Sequence, residues 1–169
     1  MLYVCEICGE TYISDEAAAN CPYCGVKRNF QKPYREAKVK FNIELTEKDR
    51  GFVTKALDVE VSNAAFYTCA ANSVKDFEGK YLFKNLAKVE HHHAKVWKKI
   101  LKMENLPVGD DTCSVDYKED LQESHDREDS AIKFYEQACK NADDSWIKTI
   151  FMAFVDVEQD HLKLSEERL

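Results

Sequence analysis

Residues 83–97 read FKNLAKVEHHHAKVW, and residues 151–165 read FMAFVDVEQDHLKLS. Apolar residues recur at three-and-four spacing in both, with Phe83, Leu86, Trp97 and Ile100 around the first and Phe151, Phe154 and Leu164 in the second. That period predicts two amphipathic helices. Each stripe is interrupted at its middle by an ionisable pair, Glu90 with His93 and Glu158 with His161. This Glu-x-x-His spacing places both side chains on one helix face, one turn apart, as a chelating pair.

Working outward, two more apolar stripes carry a single carboxylate each. Glu60 falls between Leu57 and Ala64, and Glu128 between Leu121 and Ile132, each at the same interval before a Glu-x-x-His. The offset from Glu60 to Glu128 recurs from Glu90 to Glu158, from His93 to His161 and from Tyr67 to Tyr135. One helical hairpin is therefore followed by a second with the same polar residues in the same register. The patterns predict helices from Thr46 to about Asp76, from about Lys80 to Met103, from roughly Asp116 to Asn141 and from roughly Ser145 to Glu167. Thr46 with Asp49 reads as a capping box, Gly79 as the break between the first two helices, and Asp144 or Ser145 as the cap of the fourth. A four-helix bundle is the simple solution. The connection from Glu104 to Val115 spans at most ~40 Å, enough to run back along the bundle as one long crossover.

Six ionisable side chains thus point into a core. Most Glu face solvent, and a lone Glu-x-x-His would read that way. Two at matched register, each following an inward Glu, point instead to a carboxylate-bridged pair of metal ions. Four carboxylates balance two divalent cations, and two neutral imidazoles complete the ligands, so the buried site is neutral. Without metal, the same carboxylates would repel and lose solvation, at several kcal/mol each. Tyr67 and Tyr135 fit two readings, donors of hydrogen bonds or electrons beside the metals and ordinary core aromatics. His91 and His92 fall on other helix faces and are expected to be exposed. His125, one turn before Glu128, reads as a supporting or merely buried residue.

The opening segment, 1–36, differs in composition. It holds four of the seven Cys, two of the five Gly and two of the three Pro. Cys5, Cys8, Cys21 and Cys24 form CEIC and CPYC knuckles separated by the segment 9–20, each followed by a glycine. This is the pattern of a tetrahedral tetrathiolate metal site, with zinc or iron both compatible. Zinc would be structural, and iron a one-electron carrier. Cys69, Cys113 and Cys139 lack such partners and read as small core residues. The chain divides into a four-cysteine module at 1–36, a linker at 37–45 and a helical domain at 46–169.

The formal charge of −7 over 169 residues argues against nucleic acid or an anionic membrane as partner. The longest apolar run, Ile150 to Val155, is too short to span a bilayer. No signal-peptide pattern precedes Cys5, and paired knuckles fit a reducing compartment, so a cytoplasmic location is expected.

Tyr3-Val4-Cys5-x-x-Cys8-Gly9-x-x-Tyr12, followed by Cys21-Pro22-x-Cys24-Gly25-Val26 and Phe30, resembles rubredoxin. The six-residue constellation resembles the ferritin-like domain of rubrerythrin. Together they cover nearly the whole chain, with the rubredoxin-like module first, as in the reverse rubrerythrins. The resemblance implies a mainly α protein, a ferritin-like four-helix bundle with one long crossover preceded by a rubredoxin-like module. It also implies a non-haem di-iron peroxidase that reduces hydrogen peroxide to water, with electrons from NAD(P)H by way of a reductase. By position, Glu60, Glu90, His93, Glu128, Glu158 and His161 would bind the di-iron centre, and Cys5, Cys8, Cys21 and Cys24 a mononuclear iron. Rubrerythrins usually carry an additional Glu where this chain has Ala131. That Glu is associated with an iron that exchanges Glu for His between redox states, so here no exchange partner is expected for His93.

A ferroxidase or iron-storage role is the first rival, and Ala131 favours it, but it leaves the electron-transfer module without a use. A zinc protein without turnover is the second. Glu60 lies about four helical turns beyond Thr46, which predicts a centre roughly 20 Å from the bundle end that carries the cysteine module. The segment from Gln31 to Leu45 could instead carry the module to a neighbouring subunit, and the resemblance implies a head-to-tail homodimer, so each Cys-bound iron is expected to serve the partner's centre.

Overall fold

The structure is a computed structural model that describes residues 1–110 and 112–169. Four long helices follow a three-stranded sheet: α1 Glu47–Ser73, α2 Phe77–Ile100, α3 Tyr117–Asn141 and α4 Ser145–Glu166. α1 pairs with α2 and α3 with α4. Among the described residues, no helix is long and apolar enough to cross a membrane.

Caps set the helix ends. The Thr46 hydroxyl accepts from the Asp49 N–H at 3.1 Å, so half of the capping box forms. The Asp49 carboxylate does not reach back. It accepts from the backbone N–H groups of Asp143 and Asp144, at 2.8 and 3.0 Å, and pins the α3–α4 turn to the start of α1. α1 stops at Ser73, short of the predicted Asp76, because Asp76 is the N-cap of α2 and accepts from the Gly79 N–H at 2.6 Å. Gly79 is therefore inside the first turn of α2 and does not break a helix. A Cβ there would lie 2.6 Å from the Tyr117 ring, so the residue permits a close approach of α2 to the start of α3.

The long crossover is observed, and its route can be followed by contact. After α2 the chain passes Gly109, which lies against Val61 and Ala65 of α1, then Cys113, then Tyr117 beside Gly79. It has run back along α1, so α3 starts beside the start of α2 and runs antiparallel to α1, whose first residues meet the α3–α4 turn. Cys69 and Cys113, expected as separate small core residues, are joined in a disulfide with a Cα–Cα distance of 5.8 Å. Both are half-buried where the crossover lies on α1, a juxtaposition that no local spacing encodes. Cys139 is a free thiol and packs against the core.

In the four-cysteine module, β1 Leu2–Cys5 lies between β2 Thr11–Ile13 and β3 Gln31–Pro33, antiparallel to both. The two knuckles close alike, the Gly9 N–H donating to the Cys5 carbonyl at 2.8 Å and the Gly25 N–H to the Cys21 carbonyl at 3.0 Å. Gly9 and Gly25 have φ of 78° and 75°, the left-handed conformation that such a turn imposes and that glycine adopts without strain.

The module does not hang from the bundle end. Ile7 and Val26 share one apolar cluster with Leu57, Trp97, Phe154 and Val157. The segment 37–45, read as a linker, is held against the bundle as well. Ile43 is buried, the Lys99 ammonium lies 4.7 Å from the Phe41 ring centroid, and the Trp146 indole donates to the Lys40 carbonyl at 3.1 Å.

Candidate metal centres

Mid-height in the bundle, the helices bring together two overlapping sets of donors. Glu60, Glu90, His93 and Glu158 form one, and Glu90, Glu128, Glu158 and His161 the other, with ligand atoms within 4.8 Å of one another in each. Glu90 and Glu158 belong to both. The sequence repeat therefore becomes a pseudo-twofold pair of sites, each with its own Glu and His and sharing two carboxylates. His93 Nδ1 lies 3.1 Å from Glu158 and 3.4 Å from Glu60, and His161 Nδ1 lies 2.9 Å from Glu158 and 3.0 Å from Glu90.

The donors are sealed from water, yet eight of their polar atoms have no hydrogen-bond partner among the described residues. They are one or both carboxylate oxygens of each Glu and the Nδ1 of both His. A protein does not leave that many buried donors and acceptors unpaired without a ligand to satisfy them. Four carboxylates and two imidazoles fit a di-iron centre in number, charge and type.

Each terminal Glu is held from the other half of the repeat. The Tyr67 hydroxyl donates to Glu128, and the Tyr135 hydroxyl to Glu60. Burial first, and the adjacent carboxylates next, push both phenols well above their usual range, so both keep their protons. Tyr67 also bonds Ser124 Oγ at 2.9 Å, which bonds Ser165 Oγ at 2.9 Å. The other half has Ala56 and Trp97 at the corresponding places, so this serine chain serves one site alone. His125 lies outside the centre, half-buried beside Asp126 at 3.1 Å, which corrects its reading as a supporting or buried residue. His91 is exposed, while His92 is half-buried against the Tyr23 ring.

In the cysteine group, the Cys5–Cys24 and Cys8–Cys21 sulfur pairs are 3.7 and 3.8 Å apart, and all four sulfurs lie within 4.8 Å. A tetrahedron with metal–sulfur bonds of about 2.3 Å has edges of about 3.8 Å, so the cage is the right size for a tetrathiolate iron. Burial drives the Cys24 thiol up, while hydrogen bonds, from Cys24 first, depress Cys21. The Gln31 amide donates toward Cys5 Sγ at 3.7 Å.

The two groups meet. His93 turns Nδ1 to the carboxylates, so its Nε2–H donates to the Cys24 carbonyl, at 2.9 Å. Lys99 Nζ donates to the Cys8 carbonyl at 2.9 Å, and Lys27 pairs with Asp160. A Cβ on Gly25 would come within 2.9 Å of Val157, next to Glu158, so only glycine lets the second knuckle lie this close to α4. The expected separation of roughly 20 Å between the cysteine module and its own centre is thereby overturned. The segment 37–45 folds back along the bundle and delivers Cys24 to the middle of α2.

The protons of the metal-free chain make its stability depend on pH. Burial first, and neighbouring charges next, hold Glu60 and Glu128 well above the carboxylate range. Burial works against charge on His93 and His161, but the surrounding glutamates outweigh it and hold both well above the usual histidine value. For Glu90 and Glu158 burial is likewise outweighed, by the histidines, and both are depressed, so their contribution is lost only in acid. From the ordinary histidine range upward, until the raised groups themselves lose their protons, the folded metal-free chain therefore binds more protons than the unfolded one, and its stability falls as pH rises. Metal replaces those protons. Melting curves are expected to give a lower Tm for the metal-free protein at the alkaline end, and a larger rise in Tm on metal loading there. A metal-free Tm that climbs with pH contradicts the assignment of buried, proton-holding donors.

Asn63, Ser124, Ser165 and Arg127 join this region without having been singled out from the sequence. One signal was there for the first: Asn63 precedes Ala131 by the same offset that relates the ligands of the two hairpins.

The family model for rubrerythrin matches residues 51–168, and the model for the rubredoxin-like domain of rubrerythrin matches residues 3–31. No curated protein matches the chain. The first match spans well over half of the sequence, and the two occur in the order of the two donor groups. The chain is thus a member of the rubrerythrin family, a di-iron protein of oxidative-stress or iron-handling chemistry whose rubredoxin-like module precedes its helical bundle.

Proposed function

We propose that the protein is a non-haem di-iron peroxidase that reduces hydrogen peroxide to water, taking electrons through its Cys-bound iron from a reductase linked to NAD(P)H. The observation that carries this reading is the 2.9 Å hydrogen bond between the Cys24 carbonyl and His93 Nε2. It joins a residue of the thiolate cage to a residue of the carboxylate centre by one side chain and one peptide group. A storage protein has no need of such a path.

When bound, the iron pair supplies two electrons to peroxide and the positive charge that stabilises the oxygens as the O–O bond breaks. The chain does the rest. Glu90 and Glu158, common to both donor sets, would be shared by the two irons, and Glu60 with His93 and Glu128 with His161 would complete the two ligand sets. Tyr67 and Tyr135 keep a proton at each hydroxyl, aimed at Glu128 and Glu60, beside the place where two protons must be taken up for each peroxide reduced to two waters. The apolar packing of Phe151, Phe154 and Trp97 excludes water from the His93 side. Ala131 offers no carboxylate to displace His93, so the bond to Cys24 persists in both redox states.

Anaerobic reduction of the iron-loaded protein, followed by titration with hydrogen peroxide in the visible range, tests the reading. Expected is reoxidation of both iron types at a fixed ratio of one peroxide per two electrons, with steady turnover when reductant is supplied. Accumulation of many irons per chain without reductant consumption would mark a store, and silence toward peroxide a non-enzymatic protein.

A further inference from the structure

Between α1 and α3 a cleft of about 640 Å³ opens to solvent, lined at its mouth by exposed residues such as Lys55, Ser62 and Asp126. Its floor is different. Asn63 and Ala131 are 3% and 2% exposed, and each stands one helical turn after a terminal carboxylate, Glu60 and Glu128 respectively. They occupy equivalent positions in the two hairpins, so the floor of the cleft lies on the pseudo-twofold axis of the dinuclear centre. Ala131 leaves space there.

The Asn63 amide has a fixed orientation. Arg127 Nη1 donates to Ser62 Oγ at 3.1 Å and to Asn63 Oδ1 at 3.3 Å, and its guanidinium is itself held by Glu123 at 2.7 Å and stacked 4.6 Å from the Phe66 ring centroid. A guanidinium has only donors, so the atom facing it has to be the amide oxygen. Nδ2 is then turned away from Arg127. It is sealed from solvent and has no hydrogen-bond partner among the described residues. A buried amide N–H without an acceptor is costly, and a native protein keeps one where a ligand arrives.

We propose that Asn63 Nδ2 is the hydrogen-bond donor to the small oxidant, or to a small anion in its place, entering the dinuclear centre from the α1–α3 side. The cleft floored by Ala131 is the way in, and Arg127 is the positioning residue that aims the amide. This rests on the peroxidase reading for the identity of the oxidant, but the binding site itself needs only a loaded dinuclear centre.

Azide, a small anion whose binding to ferric iron is read from visible absorbance, is the probe. The full chain is loaded with iron, the iron content is measured, and azide is titrated. Asn63→Leu removes the donor at similar volume and is expected to raise the azide Kd by about 10- to 100-fold, the range for a hydrogen bond to a charged group. An unchanged Kd with two irons in the bundle overturns the proposal. Should Asn63→Leu fail to hold both irons, Ala131→Leu decides, since it keeps Asn63 and fills the floor from the opposite helix. Azide association at least about tenfold slower supports the route, by analogy with other occluded access paths, and an unchanged rate rejects it. Peroxide turnover of the native protein is followed in parallel. A native chain that shows the Asn63-dependent azide site but no turnover loses the peroxidase reading and keeps this one, whereas normal turnover with azide binding indifferent to Asn63 does the reverse.

Discussion

Glu90→Ala is expected to lower the iron content from three per chain to one and to reduce peroxide turnover by roughly a thousandfold or more. The carboxylate belongs to both donor sets, so its loss removes a ligand from each metal at once. Residues that only support a metal ligand typically contribute about 10- to 100-fold, and a shared ligand contributes more. The remaining iron is that of the cysteine cage, whose four sulfurs do not involve Glu90. The fold should persist, because the apolar clusters around Trp97, Phe151 and Phe154 and around Phe66, Phe83 and Leu121 hold the helices together. Iron analysis, turnover and circular dichroism read the three parts of this expectation. A Glu90→Ala protein with three irons and normal turnover would falsify the ligand assignment.

Mixing Cys8→Ala chains with Glu90→Ala chains is expected to restore no peroxidase activity. Each chain lacks one of the two centres, so only transfer between chains could complement them. The geometry places the short path inside one chain, from the Cys24 carbonyl to His93 Nε2, and it needs no second subunit. This expected result is the opposite of the cross-subunit transfer expected from helix lengths and from the resemblance. That argument took the module to sit at the end of the bundle where the chain enters. Instead, Ile43 and Phe41 pack along the bundle, and Gly25 allows the second knuckle to lie against Val157. Activity in verified mixed dimers approaching half that of the native protein would show that electrons pass between chains after all.

Much of this protein is legible along the chain because its chemistry is periodic. Glu90 and His93, or Glu158 and His161, share a face through the pitch of a single helix, and each Cys-x-x-Cys closes through a single turn, so local backbone geometry is enough to group them. The repeated offset between the hairpins extends that grouping to Glu60 and Glu128, since two similar hairpins can bury their polar residues only against each other. The caps at Thr46 and Asp144 are local for the same reason. What lies between elements had no such period. Asp49 caps a distant turn and Gly79 accommodates Tyr117, although both resemble ordinary local signals. Cys69 meets Cys113 only because the crossover runs along α1. Which carboxylates are shared, which way the Asn63 amide points and how Cys24 reaches His93 depend on the docking of surfaces far apart in the chain. Docking is set by the summed fit of many apolar contacts, Val26 and Val157 among them, rather than by the spacing of any few residues. The donors and the four helices that carry them follow from the order of residues along the chain, whereas packing between distant segments decides how the two donor groups are joined.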